Sequence, residues 1–315
     1  MNILFCGDFH IEERSIEEIN SIFDELLIIK DKYCVTKLII AGDSFDRINP
    51  TSKELDCLSA FLKKLNIPII LLAAKSHEST TSEDSIINHF GILKDNIQVC
   101  KEYIDGYLFV GHFLVKESKL NYGGTVSKND LKKYKYVVLG HGHSHELVHP
   151  NVCQLGSIRY VDFAEAKDKQ KVALLIDDYK GTKEKPVFIP IKSVIPMKDI
   201  ELSTIQQIID KKDSQNETTE PKSSISQAQT TPKTGCFDTI SSIIAYLDQL
   251  DPKTKVRVIF KDYAGYKEFL PFYQRFVDKF VLFKQKKDFT ISINTLNAAK
   301  TETTSLKEEL VKFLK

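Results

Sequence analysis

The 315 residues carry 44 Lys or Arg against 43 Asp or Glu, a net charge of +1, so a nucleic-acid partner would have to be held by a local patch. No apolar run reaches the ~18–20 residues of a bilayer span, and MNILFCGDFH offers neither a basic leader nor a small-residue cleavage site. The six cysteines (6, 34, 57, 100, 153 and 236) form no C-x-x-C pair, which argues against a disulfide framework and for a reduced, cytoplasmic or nucleoid-associated protein.

Strand and helix patterns alternate from the start. Asn2–Cys6 is a short apolar run, and Ile16, Ile19, Phe23, Leu26 and Leu27 then recur at helical spacing. Lys37–Ala41 is a second run, followed by a helix marked by Leu55, Leu58, Leu62 and Leu65 with Pro50-Thr51-Ser52 near its start. Ile67–Ala73 is the third strand. This β-α-β-α-β rhythm predicts parallel strands with helices on the faces. Shorter strands are predicted at Tyr107–Gly111, Tyr136–Leu139, Lys171–Ile176 and Pro186–Ile191.

Residues 212–234, KDSQNETTEPKSSISQAQTTPKT, hold no aromatic and one large aliphatic residue. Such a segment buries too little surface to fold and reads as a disordered linker. Beyond it the pattern predicts a helix over Phe237–Leu250, a strand over Lys255–Phe260 and a helix near Pro271–Phe280. A strand over Phe289–Asn294 and a helix near Ser305–Leu314 complete the chain.

Polar residues collect where the strands end. FCGDFH places Asp8 and His10 two apart, facing the same way in extended chain. IIAGDSFD ends the second strand with Asp43, LFVGHF ends another with His112, and VVLGHGHSH sets His141 and His143 two apart. One Gly-Asp after a strand is an ordinary turn, and HGHSHELVH alone reads equally as a surface loop. Four such endings in succession point instead to one edge of a parallel sheet. Carboxylate and imidazole ligands without cysteine suit Mn²⁺, Fe²⁺ or Zn²⁺. A bridging carboxylate suits an ion pair ~3.5–4 Å apart, the spacing used for displacement at phosphorus.

On these residues the chain resembles the calcineurin-like metallophosphoesterases, whose motifs run D-x-H, G-D-x-x-D, G-N-H-[DE], G-H and G-H-x-H. The counterparts here are Asp8-Phe9-His10, Gly42-Asp43-Ser44-Phe45-Asp46, Ser76-His77-Glu78, Gly111-His112 and Gly140-His141-Gly142-His143. GDSFDRINPTSKELDCLSAFLKKLNIPIILLA and QLGSIRYVDFAEAKDKQKVALLIDD further resemble the SbcD-type nucleases of double-strand-break repair and recombination, phage or cellular. The resemblance implies an α/β protein: a layered metallophosphoesterase sandwich over 1–195 and a small α/β cap domain over 196–315. It assigns Asp8, His10, Asp43 and His143 to one metal ion, most simply Mn²⁺. Asp43, Ser76, His112 and His141 take the second, with Asp43 bridging. His77 is the catalytic histidine over the scissile phosphate, and Arg159 and Asp162 lie near the site. Lys75-Ser76 departs from the Gly-Asn of the motif: a serine hydroxyl is a shorter and poorer ligand, and Lys75 adds a cation.

The implied activity is metal-dependent DNA hydrolysis in partnership with an SbcC-type coiled-coil ATPase, as a homodimer, away from membranes. Two other readings stay open: a catalytically weakened DNA-end-binding scaffold for that ATPase, and a small-molecule phosphoesterase. Between Lys253 and Lys287 ten basic residues face three acidic ones, with nine aromatics interleaved. Most of those aromatics fit a helix's core stripe. The charge excess predicts a DNA-binding face including Lys279, Lys284, Lys286 and Lys287, against a merely solvated face as the alternative. The last helix, with Leu306, Leu310, Phe313 and Leu314 on one side, either closes the cap or docks on the ATPase. His89, His145 and His149 fall outside the motif and are expected at the surface.

Overall fold

The computed structural model describes residues 1–73, 85–120, 124, 126–202, 236–237, 239–260, 263–279 and 282–285. The chain divides into two compact units. The first comprises Met1–Lys198 with Lys253–Lys255; the second draws on described residues from Asp199 to Pro252 and from Val256 onward.

The strands in chain order are β1 (Ile3–Cys6), β2 (Lys37–Ile40), β3 (Ile69–Leu72), β4 (Ile97–Cys100) and β5 (Tyr103–Asp105). They continue with β6 (Leu108–His112), β7 (Tyr136–Gly140), β8 (Glu146–His149), β9 (Val152–Gln154), β10 (Val172–Asp177) and β11 (Lys185–Pro190). β12 (Met197–Leu202), β13 (Cys236–Phe237), β14 (Lys255–Phe260) and β15 (Leu282–Gln285) follow. The α-helices are α1 (Ile16–Lys32), α2 (Ser52–Lys64), α3 (Ile240–Gln249) and α4 (Tyr263–Phe269).

The expected β-α-β-α-β run is present. β1 through β4 pair in parallel, and β10 and β11 extend the sheet antiparallel beyond β1, in the order β11-β10-β1-β2-β3-β4. A second sheet runs β5-β6-β7-β9-β8, parallel through its middle three strands with antiparallel edges. Alternation sorts the residues of β1 into layers. Ile3 and Phe5 join Leu108, Val110 and Val138 of the second sheet in one buried cluster. Leu4 and Cys6 join Ile19, Phe23, Leu58 and Leu62 of α1 and α2 in another. The unit is a layered α/β sandwich, with the helices on the outer face of the first sheet.

Local chemistry sets the helix bounds. Thr51 caps α2: its hydroxyl accepts from Glu54 N at 3.4 Å, and Glu54 Oε2 accepts from Thr51 N at 2.8 Å. The buried stripe Cys57, Leu58, Phe61 and Leu62 follows at helical spacing, and Phe61 stacks on Phe23 of α1 at 4.1 Å between centroids. β1 starts one residue later than its apolar run: Asn2 N donates to the Thr36 hydroxyl instead of a strand carbonyl, and its side chain ties Tyr33 O and Asp178 N. β4, β5, β8 and β9 escape the sequence pattern: β4, β5 and β8 are mostly half-buried or exposed, unlike the fully buried runs of β1 and β3, and β9 has only three residues.

The second unit holds a four-stranded sheet, β13-β12-β14-β15. Its core joins Ile240, Ile243 and Leu247 of α3 to Val256, Val258 and Phe260 of β14, with Phe269 and Phe276. α3 is shorter than its pattern because Phe237 is taken into β13, leaving Thr239 as the cap. The helix expected near Pro271–Phe280 is a 3₁₀ segment, Leu270–Lys279, after α4. Pro271 has no N–H with which to continue α4. Burial of Phe269 and Phe276 agrees with the core-stripe reading, while Phe272 is exposed. The strand expected at Phe289–Asn294, the helix near Ser305–Leu314 and segment 212–234 lie outside the described residues. No helix among the described residues is long and apolar enough to cross a membrane.

Candidate metal centre

The loops after β1 and β2 zip together before either chain turns away. Asp8 N donates to Gly42 O at 2.9 Å and His10 N to Asp43 O at 3.0 Å. The backbone there is unusual: Asp8, His10 and Asp43 of these loops, and His141 after β7, all have positive φ, between 45° and 80°. Strain of this kind, shared by polar residues at one sheet edge, is typical of functional sites. The glycines are there for clearance. A Cβ on Gly42, where φ is +98°, would lie 2.3 Å from His112 Nδ1; one on Gly140 would lie 2.2 Å from Ala41 O. Replacing either would displace the His112 ring, whose Nδ1 sits 2.6 Å from Ala41 O.

Two groups of potential ligands result. In one, Asp8, His10 and His143 bring ligand atoms within 4.8 Å of one another; in the other, Asp43, His112 and His141 do so. The groups meet at Asp43, whose Oδ2 is 3.2 Å from His112 Nε2 and 3.7 Å from His10 Nε2. Asp8 and Asp43 are fully buried. Asp8 Oδ1 accepts from His141 N at 2.9 Å, while Oδ2 has no hydrogen-bond partner among the described residues. A buried carboxylate oxygen without a donor is costly, and it fits a cation of the kind that carboxylate and imidazole donors hold.

Protonation responds to this crowding. Burial pushes Asp8 up to about 6, against the pull of His112. Burial opposes charge on His112, yet its hydrogen bond to Asp43 and the charges of Asp43 and Asp8 outweigh that and raise it to about 9. His143 is also raised: burial opposes, and Glu165 beside it prevails. The upward shifts mean that the site favours added positive charge beside its carboxylates, which a divalent cation would also supply.

Asp8, His10, Asp43, His112, His141 and His143 are thus brought to one edge. Ser76 and His77, with Lys75 and Glu78, lie outside the described residues, as do Lys286 and Lys287; of Lys279 and Lys284 only the backbone is described. His89 and His145 are exposed as expected, whereas His149 is half-buried in β8 beside Asn151. Arg159 is almost wholly buried, donating to His10 O at 3.3 Å. Glu165, Lys171 and Ser157 were given no role by the sequence reading, and Asp46 was placed in the G-D-x-x-D motif without one. Asp46 lies 3.3 Å from His10 Nδ1, and its position as the last Asp of G-D-x-x-D was the available signal.

No protein-family model matches this chain, and no curated protein is similar to it. Among solved structures, the Pseudomonas putida nuclease MPE is 16% identical with a TM-score of 0.34, covering 59% of this chain and 87% of its own. A hypothetical protein from Pyrococcus horikoshii is 12% identical with a TM-score of 0.37, covering 68% and 92%. Likeness at this level adds nothing to the reading of the site.

Proposed function

We propose that the chain is a metallophosphoesterase, specifically a metal-dependent DNA nuclease of the SbcD type working with an SbcC-type ATPase. The observation that carries the metal chemistry is the pair of buried carboxylates, Asp8 and Asp43, ringed by His10, His112, His141 and His143. Asp8, His10 and His143 would hold one ion and His112 and His141 the other, with Asp43 shared, since its Oδ2 faces histidines of both groups. Ions so held supply Lewis acidity: they acidify water and offset the charge that develops on a phosphate ester. The chain's own residues fix the geometry. The Ala41 carbonyl anchors His112, the Asp8 carboxylate ties down the His141 backbone, and the motif glycines leave room for both.

DNA as substrate, the ATPase partner and a homodimer rest on the sequence resemblance, as do His77 as the group that protonates the leaving oxygen and Ser76 as a weak ligand. The basic stretch around Lys279, Lys284, Lys286 and Lys287 would hold the phosphate backbone. The test is hydrolysis of linear and nicked DNA by the purified chain. Chelation should abolish it, and Mn²⁺ should restore it better than Mg²⁺, which prefers oxygen ligands. Hydrolysis unaffected by chelation would refute the metal reading. Lys75-Ser76 favours one alternative, a DNA-end-binding scaffold, which predicts DNA binding with no turnover at any Mn²⁺ concentration.

A further inference from the structure

We propose that Glu165 is a positioning residue for the first ligand group, holding the His143 ring by Nδ1 so that Nε2 is the nitrogen left for a cation; this deepens the metal reading above and rests on it. Within the segment from Ser157 to Lys171, the buried Ser157, Arg159, Glu165 and Lys171 form a polar brace against His143 and His10. His143 Nδ1 lies 3.3 Å from Glu165 Oε1. The same oxygen accepts from Val161 N at 3.0 Å and Asp162 N at 3.1 Å. Glu165 Oε2 pairs with Lys171 Nζ and lies 2.7 Å from Ser157 Oγ. Glu165 and Lys171 are 2% and 3% exposed, so solvent does little to screen them.

His143, Asp162 and Glu165 also lie close enough to be taken for a third cation site. The donor count decides against it. A carboxylate offers about four lone-pair directions; Val161 N, Asp162 N and Lys171 Nζ take three of them, His143 Nδ1 faces the fourth, and the Lys171 ammonium would repel a further cation. Asp162 Oδ1 is occupied too, capping Ala164 N at 2.6 Å. A saturated, buried carboxylate behind an imidazole is the arrangement that orients a ligating histidine and raises its basicity.

The backbone of the same histidine is held as well. Lys171 Nζ donates to His143 O at 3.0 Å, and Ser157 N donates to that carbonyl at 2.9 Å. Two residues on from Ser157, Arg159 Nη1 reaches His10 O. One segment therefore grips both histidines of the first group. His112 of the second group is anchored on Ala41 O instead, from the loop after β2. Loss of the brace should act on one ion and spare the other.

The experiment compares wild type with Glu165→Gln in the full chain by calorimetric Mn²⁺ titration. The variant keeps an oxygen near Nδ1 but loses the charge and the Lys171 pair. One of the two ions should bind about 10–100-fold more weakly, with the other unchanged. The second measurement needs no variant: the ¹⁵N shifts of the His143 ring in Zn²⁺-loaded wild type. They should report a protonated Nδ1 and a coordinated Nε2, and so decide the matter even if Glu165→Gln fails to fold. Coordination through Nδ1 overturns the proposal. So does a wild type that binds two ions, neither of which responds to Glu165→Gln, and that result leaves the metal reading standing. A wild type that binds neither Mn²⁺ nor Zn²⁺ overturns both.

Discussion

At the amino ends of the parallel strands, polar side chains find partners: Lys37 Nζ donates to Tyr103 OH at 2.6 Å, and Tyr179 OH to Asp105 O at 2.6 Å. Glu184 is buried there against Lys135 and Tyr107. At the carboxyl ends the same kinds of residue are buried with a carboxylate oxygen of Asp8 left over. Backbone strain does not separate the two edges, for Asp178 and Lys180 in the turn after β10 also have positive φ. Hydrogen-bond satisfaction does. One edge is satisfied within the chain, and the other keeps a buried carboxylate oxygen that a cation could satisfy. Four substitutions or conditions probe that difference.

The largest effect belongs to Asp43→Ala. Its Oδ2 is the atom facing histidines of both groups, so both ions should be lost and hydrolysis should fall to background. Metal analysis with one ion retained at full occupancy would limit Asp43 to one group. Gly140→Ala comes next. The added methyl would meet Ala41 O at 2.2 Å and His112 Nδ1 at 2.7 Å, so the ring must move. We expect a stability loss of about 1–3 kcal/mol in chemical denaturation and selective weakening of the ion that His112 holds. Gly91→Ala, whose nearest neighbour would be Val99 Cγ2 at 3.4 Å, is the control for an ordinary added methyl.

A pH titration sharpens the comparison without a substitution. Asp8 rises from 3.8 to about 6 and His112 from 6.5 to about 9 in the folded chain. Both shifts are upward, so each contributes stability that is present below its unfolded value and lost as pH rises through its folded value. The metal-free protein should lose stability in two steps as pH rises, from 3.8 to about 6 as the Asp8 proton leaves and from 6.5 to about 9 as the His112 proton leaves. A cation competes for the same place, so the rise in melting temperature caused by Mn²⁺ should be larger near pH 9 than near pH 6. Equal Mn²⁺ shifts at both pH values would show that the ions bind away from Asp8 and His112.

Much of this site was legible in the chain, and the reason is geometric. The extended-chain rule singled out Asp8 with His10 and His141 with His143, yet Asp8, His10 and His141 have positive φ just beyond their strands, so it is the loop backbone and not an extended face that brings each pair together. Parallel strands carried them to one edge, and the periodic stripes of α1 and α2 fixed which strands were parallel. The brace was not legible. Glu165 and Lys171 sit in EAKDKQK, a charged run with no apolar period to mark either side chain as buried, yet both are almost wholly buried. Arg159 stood out by resemblance, but its partner is a main-chain carbonyl 149 residues away, and no spacing rule reaches that far.

The smallest effect at the metal centre should come from the satisfied edge, where Asn2→Ala is the informative change. Asn2 Nδ2 donates to Tyr33 O at 2.7 Å, and its Oδ1 accepts from Asp178 N at 3.0 Å, tying the chain before β1 to the end of α1 and to the turn after β10. Removing the amide loses two hydrogen bonds at about 1 kcal/mol each, so denaturation should report a loss of about 1–2 kcal/mol. The alanine does not reach Asp8: the strand between them is held on both sides, by β2 in parallel and β10 antiparallel, and those pairings use backbone that Asn2→Ala leaves intact. Mn²⁺ affinity and hydrolysis should therefore match wild type at temperatures well below the melt. If metal affinity fell in step with stability, the two edges would be one cooperative unit, and the contrast between a self-sufficient edge and a cation-dependent one would fail. Unchanged affinity beside lowered stability would locate the dependence on a cation at the carboxyl ends alone.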